Sequence, residues 1–127
     1  MNGRYRFALT FRVDTPMGLH VDPERFETSF VKDADRPGSD GWLFFRDTFW
    51  RGEVNDPEDF RDRCEEVLDV PVENVEFRAF EVDEEYLAAF REEIANDLDE
   101  FKADSVDEVV NKYLGSRLEV GLGGPER

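Results

Sequence analysis

The residues best equipped for chemistry crowd into one stretch, Trp42-Leu43-Phe44-Phe45-Arg46-Asp47-Thr48-Phe49-Trp50-Arg51-Gly52-Glu53-Val54-Asn55-Asp56-Pro57. A guanidinium stacked on an indole can hold a carboxylate, a phosphate or a base. Read as a strand, Trp42 to Trp50 places Arg46 and Trp50 on the same face, where they would form such a pair. Arg51 adds a second guanidinium. The N–H groups opening a helix after Asp56 could add an anion site, and Glu53 or Asp56 could act as a base. The candidate binding residues are therefore Arg46, Trp50, Arg51, Glu53 and Asp56; no catalytic residue is identified. A structural reading competes. Trp42, Phe44 and Trp50 could roof a sheet, Arg46 could pair with a nearby acid, and Asp47 or Glu53 could lock the turn.

Other chemistries find little support. The chain has no glycine-rich phosphate loop after a strand, no GxSxG elbow and no HExxH. Its one histidine, His20, lies among loop-forming residues, so no His-rich metal site is expected. The single Cys64 excludes an internal disulfide and a Cys-based metal framework, and its place on the apolar side of a helix marks it as a small buried hydrophobe. Acid pairs recur at Glu65-Glu66, Glu84-Glu85 and Glu92-Glu93. Acid–base catalysis needs two carboxylates with separated pKa values, and these pairs read as a solvated helix surface. No cofactor and no metal are expected.

The charge is the strongest signal in the composition. Among 127 residues, 32 acidic side chains oppose 16 basic ones, for a net charge of −16. This argues against a duplex nucleic-acid interface and against an anionic membrane. No apolar run approaches the roughly 18 residues needed to span a bilayer. The first residues alternate rather than forming an apolar segment, so they read as a strand and not a signal peptide. A cytoplasmic location is the expectation. Twelve Phe, three Tyr and two Trp oppose disorder. Only Lys32, Lys102 and Lys112 supply lysine, against thirteen Arg. Hyperthermophile enrichment would bring Lys together with Glu. An acid excess without Lys points instead to a salty solvent, where a Debye length of about 3 Å at 1 M screens the repulsion.

The elements that must position these residues follow from periodicity. Tyr5, Phe7, Leu9, Phe11 and Val13 alternate with Arg4, Arg6, Ala8, Thr10, Arg12 and Asp14 and predict a half-buried strand. Phe26 to Lys32 predicts a second, with a helical turn opened by Asp22-Pro23-Glu24 as the alternative. After a breaker-rich loop, Trp42 to Trp50 predicts a third. Asp56-Pro57 opens a helix with an apolar stripe of Phe60, Cys64, Val67 and Leu68. Val75 to Val82 restarts a strand, with a register shift at Ala79-Phe80. Asp83 caps a helix whose stripe is Leu87, Phe90, Ile94, Leu98 and Phe101. Ser105 and Glu108 form a capping box for another helix, stopped by Gly115. Arg117 to Val120 could add a last strand. The expected fold is α+β: an antiparallel sheet of four strands, or five with the last, and two to three helices mainly on one face, in the order βββαβαα(β). Residues 1–120 would form a single domain and 121–127 a disordered tail.

Three stretches resemble the LWR-salt proteins of halophilic archaea. They are Asp40-Gly41-Trp42-Leu43-Phe44-Phe45-Arg46-Asp47, then Trp50-Arg51-Gly52-Glu53-Val54-Asn55-Asp56, then Ala103-Asp104-Ser105-Val106-Asp107-Glu108-Val109 with Lys112-Tyr113-Leu114-Gly115-Ser116. The naming triplet falls on Phe49-Trp50-Arg51, with Phe in place of Leu. The resemblance implies a small haloarchaeal protein and carries over no activity. The expectation is a non-enzymatic binding or protein-interaction module, its contact surface including Arg46, Trp50 and Arg51 and its partner a protein or small molecule. The alternative is a small enzyme or anion-handling protein using the Trp42–Asp56 segment. Aromatic stacking on single-stranded nucleic acid is a third reading. An exposed edge strand would permit a homodimer.

Overall fold

The computed structural model describes residues 1–13, 18–19 and 25–121. The expectations for His20, for the Asp22-Pro23-Glu24 turn and for residues 122–127 of the tail lie outside them. Gly121 is described and donates its N–H to the Val82 carbonyl at 2.9 Å.

The alternating N-terminal run forms β1 (Gly3–Arg12), which pairs along its length with β2 (Arg25–Asp33) and with β5 (Val72–Val82), both antiparallel. β6 (Leu118–Val120) joins the far side of β5 in parallel. The sheet order is β2-β1-β5-β6, so the sheet is mixed rather than wholly antiparallel. Two helices lie between β5 and β6, and that crossover returns the chain in the direction of β5.

The predicted third strand is a correction. Trp42 and Leu43 lie in turns, Phe44–Thr48 is the short helix α1, and only Phe49–Trp50 is strand, β3. β3 forms its own two-stranded sheet with β4 (Glu53–Val54). The physical reason is visible in the burial. Trp42, Phe45 and Phe49 are the residues driven inside, and their spacing of i, i+3 and i+7 suits a helical turn better than a pleat. The strand pattern placed a large aromatic on both faces, a sign that period two was the wrong template. Four helices are present among the described residues, and the main sheet holds four strands.

The remaining elements lie close to expectation. α2 (Pro57–Leu68) begins at Asp56, and α3 (Glu84–Asn96) begins at Asp83. α4 (Val106–Leu114) begins at Ser105 and ends at Gly115. The register shift is present: Arg6 faces Ala79 while Phe7 faces Phe77, so Arg78 is the extra residue. It leaves Ala79 and Phe80 both buried in succession. Two apolar stripes end sooner than the periodicity predicts. In α2, Phe60 and Cys64 reach the core, but Val67 is 83% exposed. α3 stops at Asn96, and Phe101 is buried from the turn that follows.

The core is aromatic. Tyr5 stacks on Phe80 at 4.3 Å between ring centroids, and Phe49 on Phe77 at 3.9 Å. Phe7 meets Phe60 of α2, and Phe80 meets Phe90 of α3. These contacts put the helices on the Tyr5, Phe7 and Leu9 face of the sheet. On the opposite face, the guanidinium Nε of Arg4 and of Arg6 donate to the two oxygens of Glu81, at 2.8 and 3.0 Å. No described helix is long and apolar enough to cross a membrane.

Candidate functional site

The five candidate residues do not form one cluster. Arg46 sits in α1, and its Nε donates to Asp47 Oδ1 at 3.1 Å. Because the strand that was to align Arg46 with Trp50 is absent, that stacked pair does not form. Its role passes to the next residue: the Arg51 guanidinium lies 5.6 Å from the centroid of the Trp50 ring. Glu53 faces Trp50 across the β3–β4 ladder, yet lines a different depression with Gly52, Asn74, Glu76 and Arg117. Asp56 turns to its own helix, where Oδ1 accepts the Asp59 N–H at 3.2 Å. With Glu58 and Asp59 also in its first turn, the start of α2 is already supplied with negative charge.

The turn between β3 and β4 is built as a cap for α4. A helix leaves its last carbonyls without partners inside the helix. The Arg51 N–H donates to the Lys112 carbonyl at 2.8 Å, and the Gly52 N–H to the Tyr113 carbonyl at 3.0 Å. To aim both donors at the helix end, Arg51 and Gly52 adopt left-handed backbone, with φ of 53° and 85°. The approach is close: a Cβ on Gly52 would meet the Leu114 carbonyl oxygen at 3.1 Å, and one on Gly115 would meet the Arg51 carbonyl oxygen at 3.0 Å. Arg117 completes the joint, donating from Nε to the Gly52 carbonyl at 3.2 Å.

This joint holds Trp50 at the surface. The indole packs edge-on against Tyr113, at 5.9 Å between centroids, and remains 44% exposed. Trp50 and Arg51 form one side of an open cleft of about 520 Å³; Glu108, Asn111 and Lys112 of α4 form the other. Two of those side chains are committed elsewhere. Glu108 Oε1 accepts the Asp104 N–H at 3.1 Å, and Lys112 Nζ donates to the Phe101 carbonyl at 2.9 Å. The Arg51 guanidinium has no carboxylate within ion-pair distance among the described residues. Arg36 and Arg117 share that lack of a carboxylate partner, but among the described residues Arg51 is the arginine set beside a half-exposed indole.

The α4 residues of this cleft were not among the sequence candidates. Their signal was available: Glu108, Asn111 and Lys112 stand at i, i+3 and i+4, on one polar face of the predicted helix. What the sequence lacked was the contact between that face and the Trp50 turn. Cys64 is buried, and burial pushes its thiol pKa up, as expected of an inert packing residue. No group of three or more His, Cys, Asp or Glu side chains is arranged to hold a metal ion among the described residues.

The LWR-salt protein family model matches residues 1–123, and the chain belongs to that family. No curated protein and no solved structure matches it.

Proposed function

We propose that this LWR-salt protein is a non-enzymatic binding module of a salt-accumulating cytoplasm, and that the Trp50–Arg51 cleft is its contact site. The observation that carries this reading is the pairing of a half-exposed indole with a guanidinium that has no carboxylate partner. An acidic protein surface offers Arg51 many possible partners, and none is placed against it. A ligand carboxylate beside a planar apolar group would fill both vacancies: two parallel hydrogen bonds from Arg51 and contact with the Trp50 face. Stacking and short-range hydrogen bonds persist in molar salt, whereas long-range attraction does not. An acidic segment of a partner protein supplies such a group.

The alternative is a free small-molecule carboxylate or phosphate held in the same cleft, favoured by its concavity. A single-site enzyme has less support, because Glu53 and Asp56 stand away from the Trp50–Arg51 cleft and Glu108 is engaged in capping α4.

The test is a pull-down at molar KCl with wild type and Trp50→Ala. Trp50 is half-exposed, so its removal is expected to leave the fold intact and to lose the partner. A folded Trp50→Ala variant that retains every wild-type partner rejects the site.

A further inference from the structure

We infer that β2 is a dimerisation edge, and that it pairs antiparallel with β2 of a second copy in a register centred on Ser29. The direction of its free hydrogen-bonding groups comes first. The Ala34 N–H donates to the Gly3 carbonyl at 2.9 Å. The β1–β2 register runs without a break from Arg4↔Asp33 to Arg12↔Arg25. Hydrogen-bonded pairs alternate along an antiparallel ladder, so Phe26, Thr28, Phe30 and Lys32 bond inward to β1. The N–H and C=O groups of Glu27, Ser29, Val31 and Asp33 point outward, and no described strand meets them.

Natural edge strands are usually guarded by proline, a bulge, charged side chains, short length or a covering helix or loop. β2 has nine residues, no proline and no register shift, and its middle, Thr28-Ser29-Phe30-Val31, is uncharged. Its charges sit at the ends: Arg25 and Glu27, then Lys32 and Asp33. They sum to zero in a chain of net charge −16, so two copies can meet at this edge with little of the repulsion that opposes contact elsewhere.

The outward groups also select the register. Odd residues must face odd residues. Centring on Ser29 uses the whole strand and sets Arg25, whose Nε also donates to Glu73 of its own chain at 2.7 Å, opposite Asp33 of the second copy, twice by symmetry. Glu27 then faces Val31, and Ser29 faces its own copy. Moving the axis to Phe30 sets Glu27 opposite Asp33, a like-charge pair. Moving it to Thr28 carries Asp33 beyond the end of the strand. A two-fold axis normal to the sheet makes one continuous sheet from both copies, with all helices on the same face.

The test is the mass of the chain in molar KCl by light scattering over a dilution series. The expected mass is twice 14.8 kDa at high concentration, falling on dilution. A mass of 14.8 kDa throughout overturns the proposal. Ser29→Pro removes the central N–H on the outward side, where proline leaves the β1 ladder intact, and is expected to give a folded monomer. A folded Ser29→Pro that still dimerises overturns it. If Ser29→Pro does not fold, Ser29→Lys carries the same test, since it places two lysines at the axis. Asp33→Arg, facing Arg25 of the second copy, is expected to weaken the dimer about tenfold; unchanged association rejects the Ser29-centred register.

Discussion

Phe49, Trp50 and Arg51 are consecutive, and each meets a different environment. Phe49 is fully buried against Phe77, Trp50 stands half in solvent, and Arg51 places its backbone N–H on the end of α4. The naming triplet is thus one residue of core, one of open surface and one of helix cap. Gly52 makes the arrangement possible. Its φ of 85° is in the left-handed region, and a Cβ there would crowd the Leu114 carbonyl. Gly52→Ala is expected to cost about 2 kcal/mol, from left-handed strain together with the displaced carbonyl. The midpoint of urea unfolding measures it; a change under about 0.5 kcal/mol, ordinary for a surface substitution, would show that the joint yields freely. The aromatic and arginine content of this segment was legible as a site candidate. Which arginine stacks was not, because that depends on whether 42–50 is pleated or coiled.

At the scale of elements, the helix starts were the most legible features. Asp56, Asp83 and Ser105 each accept the backbone N–H expected of an N-cap. Capping is local, decided by a side chain and the next three residues. Asp83 does more than cap. Oδ1 accepts the Tyr86 N–H at 2.7 Å, and Oδ2 accepts the Asn2 N–H at 2.8 Å, tying α3 to the start of β1. The bond from Tyr86 is the main reason its pKa lies below the usual 3.8. Burial pushes Glu81 upward, but the hydrogen bonds from Arg4 and Arg6 outweigh it and its pKa is also lowered. A depressed carboxyl pKa means that the folded state binds protons less readily than the unfolded one. Its contribution is complete above the unfolded pKa and is lost as pH falls through the folded one. Asp83→Ala is therefore expected to cost about 1 kcal/mol at neutral pH, and the difference from wild type should shrink as pH falls below 3.8. Urea titrations at neutral and acid pH measure both; a cost independent of pH would show that the carboxylate charge contributes nothing.

For the whole molecule, charge and aromatic content act against each other. The 32 acids repel across 8166 Å² of accessible surface, while the stacked Phe and Tyr rings hold the sheet to the helices. A Debye length of about 10 Å at 0.1 M leaves neighbouring carboxylates in contact with each other's field, and about 3 Å at 1 M does not. Thermal unfolding in KCl is expected to rise in midpoint from about 0.1 M to about 2 M salt, with the compact state favoured as repulsion is screened. Equal midpoints at the two concentrations would remove the argument for a salt-accumulating cytoplasm.

Properties that depend on composition and near neighbours were readable from the sequence alone: the net charge, the α+β class, the first two strands, three helix caps, the bulge by Ala79 and the likeness to one family. Strands and caps leave such traces because their periods and bonding partners lie within a few residues. Tertiary structure decided the rest. The Trp42–Trp50 run satisfied two periodicities, and burial of Trp42, Phe45 and Phe49 together chose the helical one. The parallel pairing of β6 with β5 depended on how α3 and α4 carry the chain back. The Trp50–Arg51 cleft depended on α4, more than fifty residues away, whose exposed carbonyls draw the turn against it. A helix end needs hydrogen-bond donors wherever the chain can deliver them, and that delivery is a property of the folded molecule.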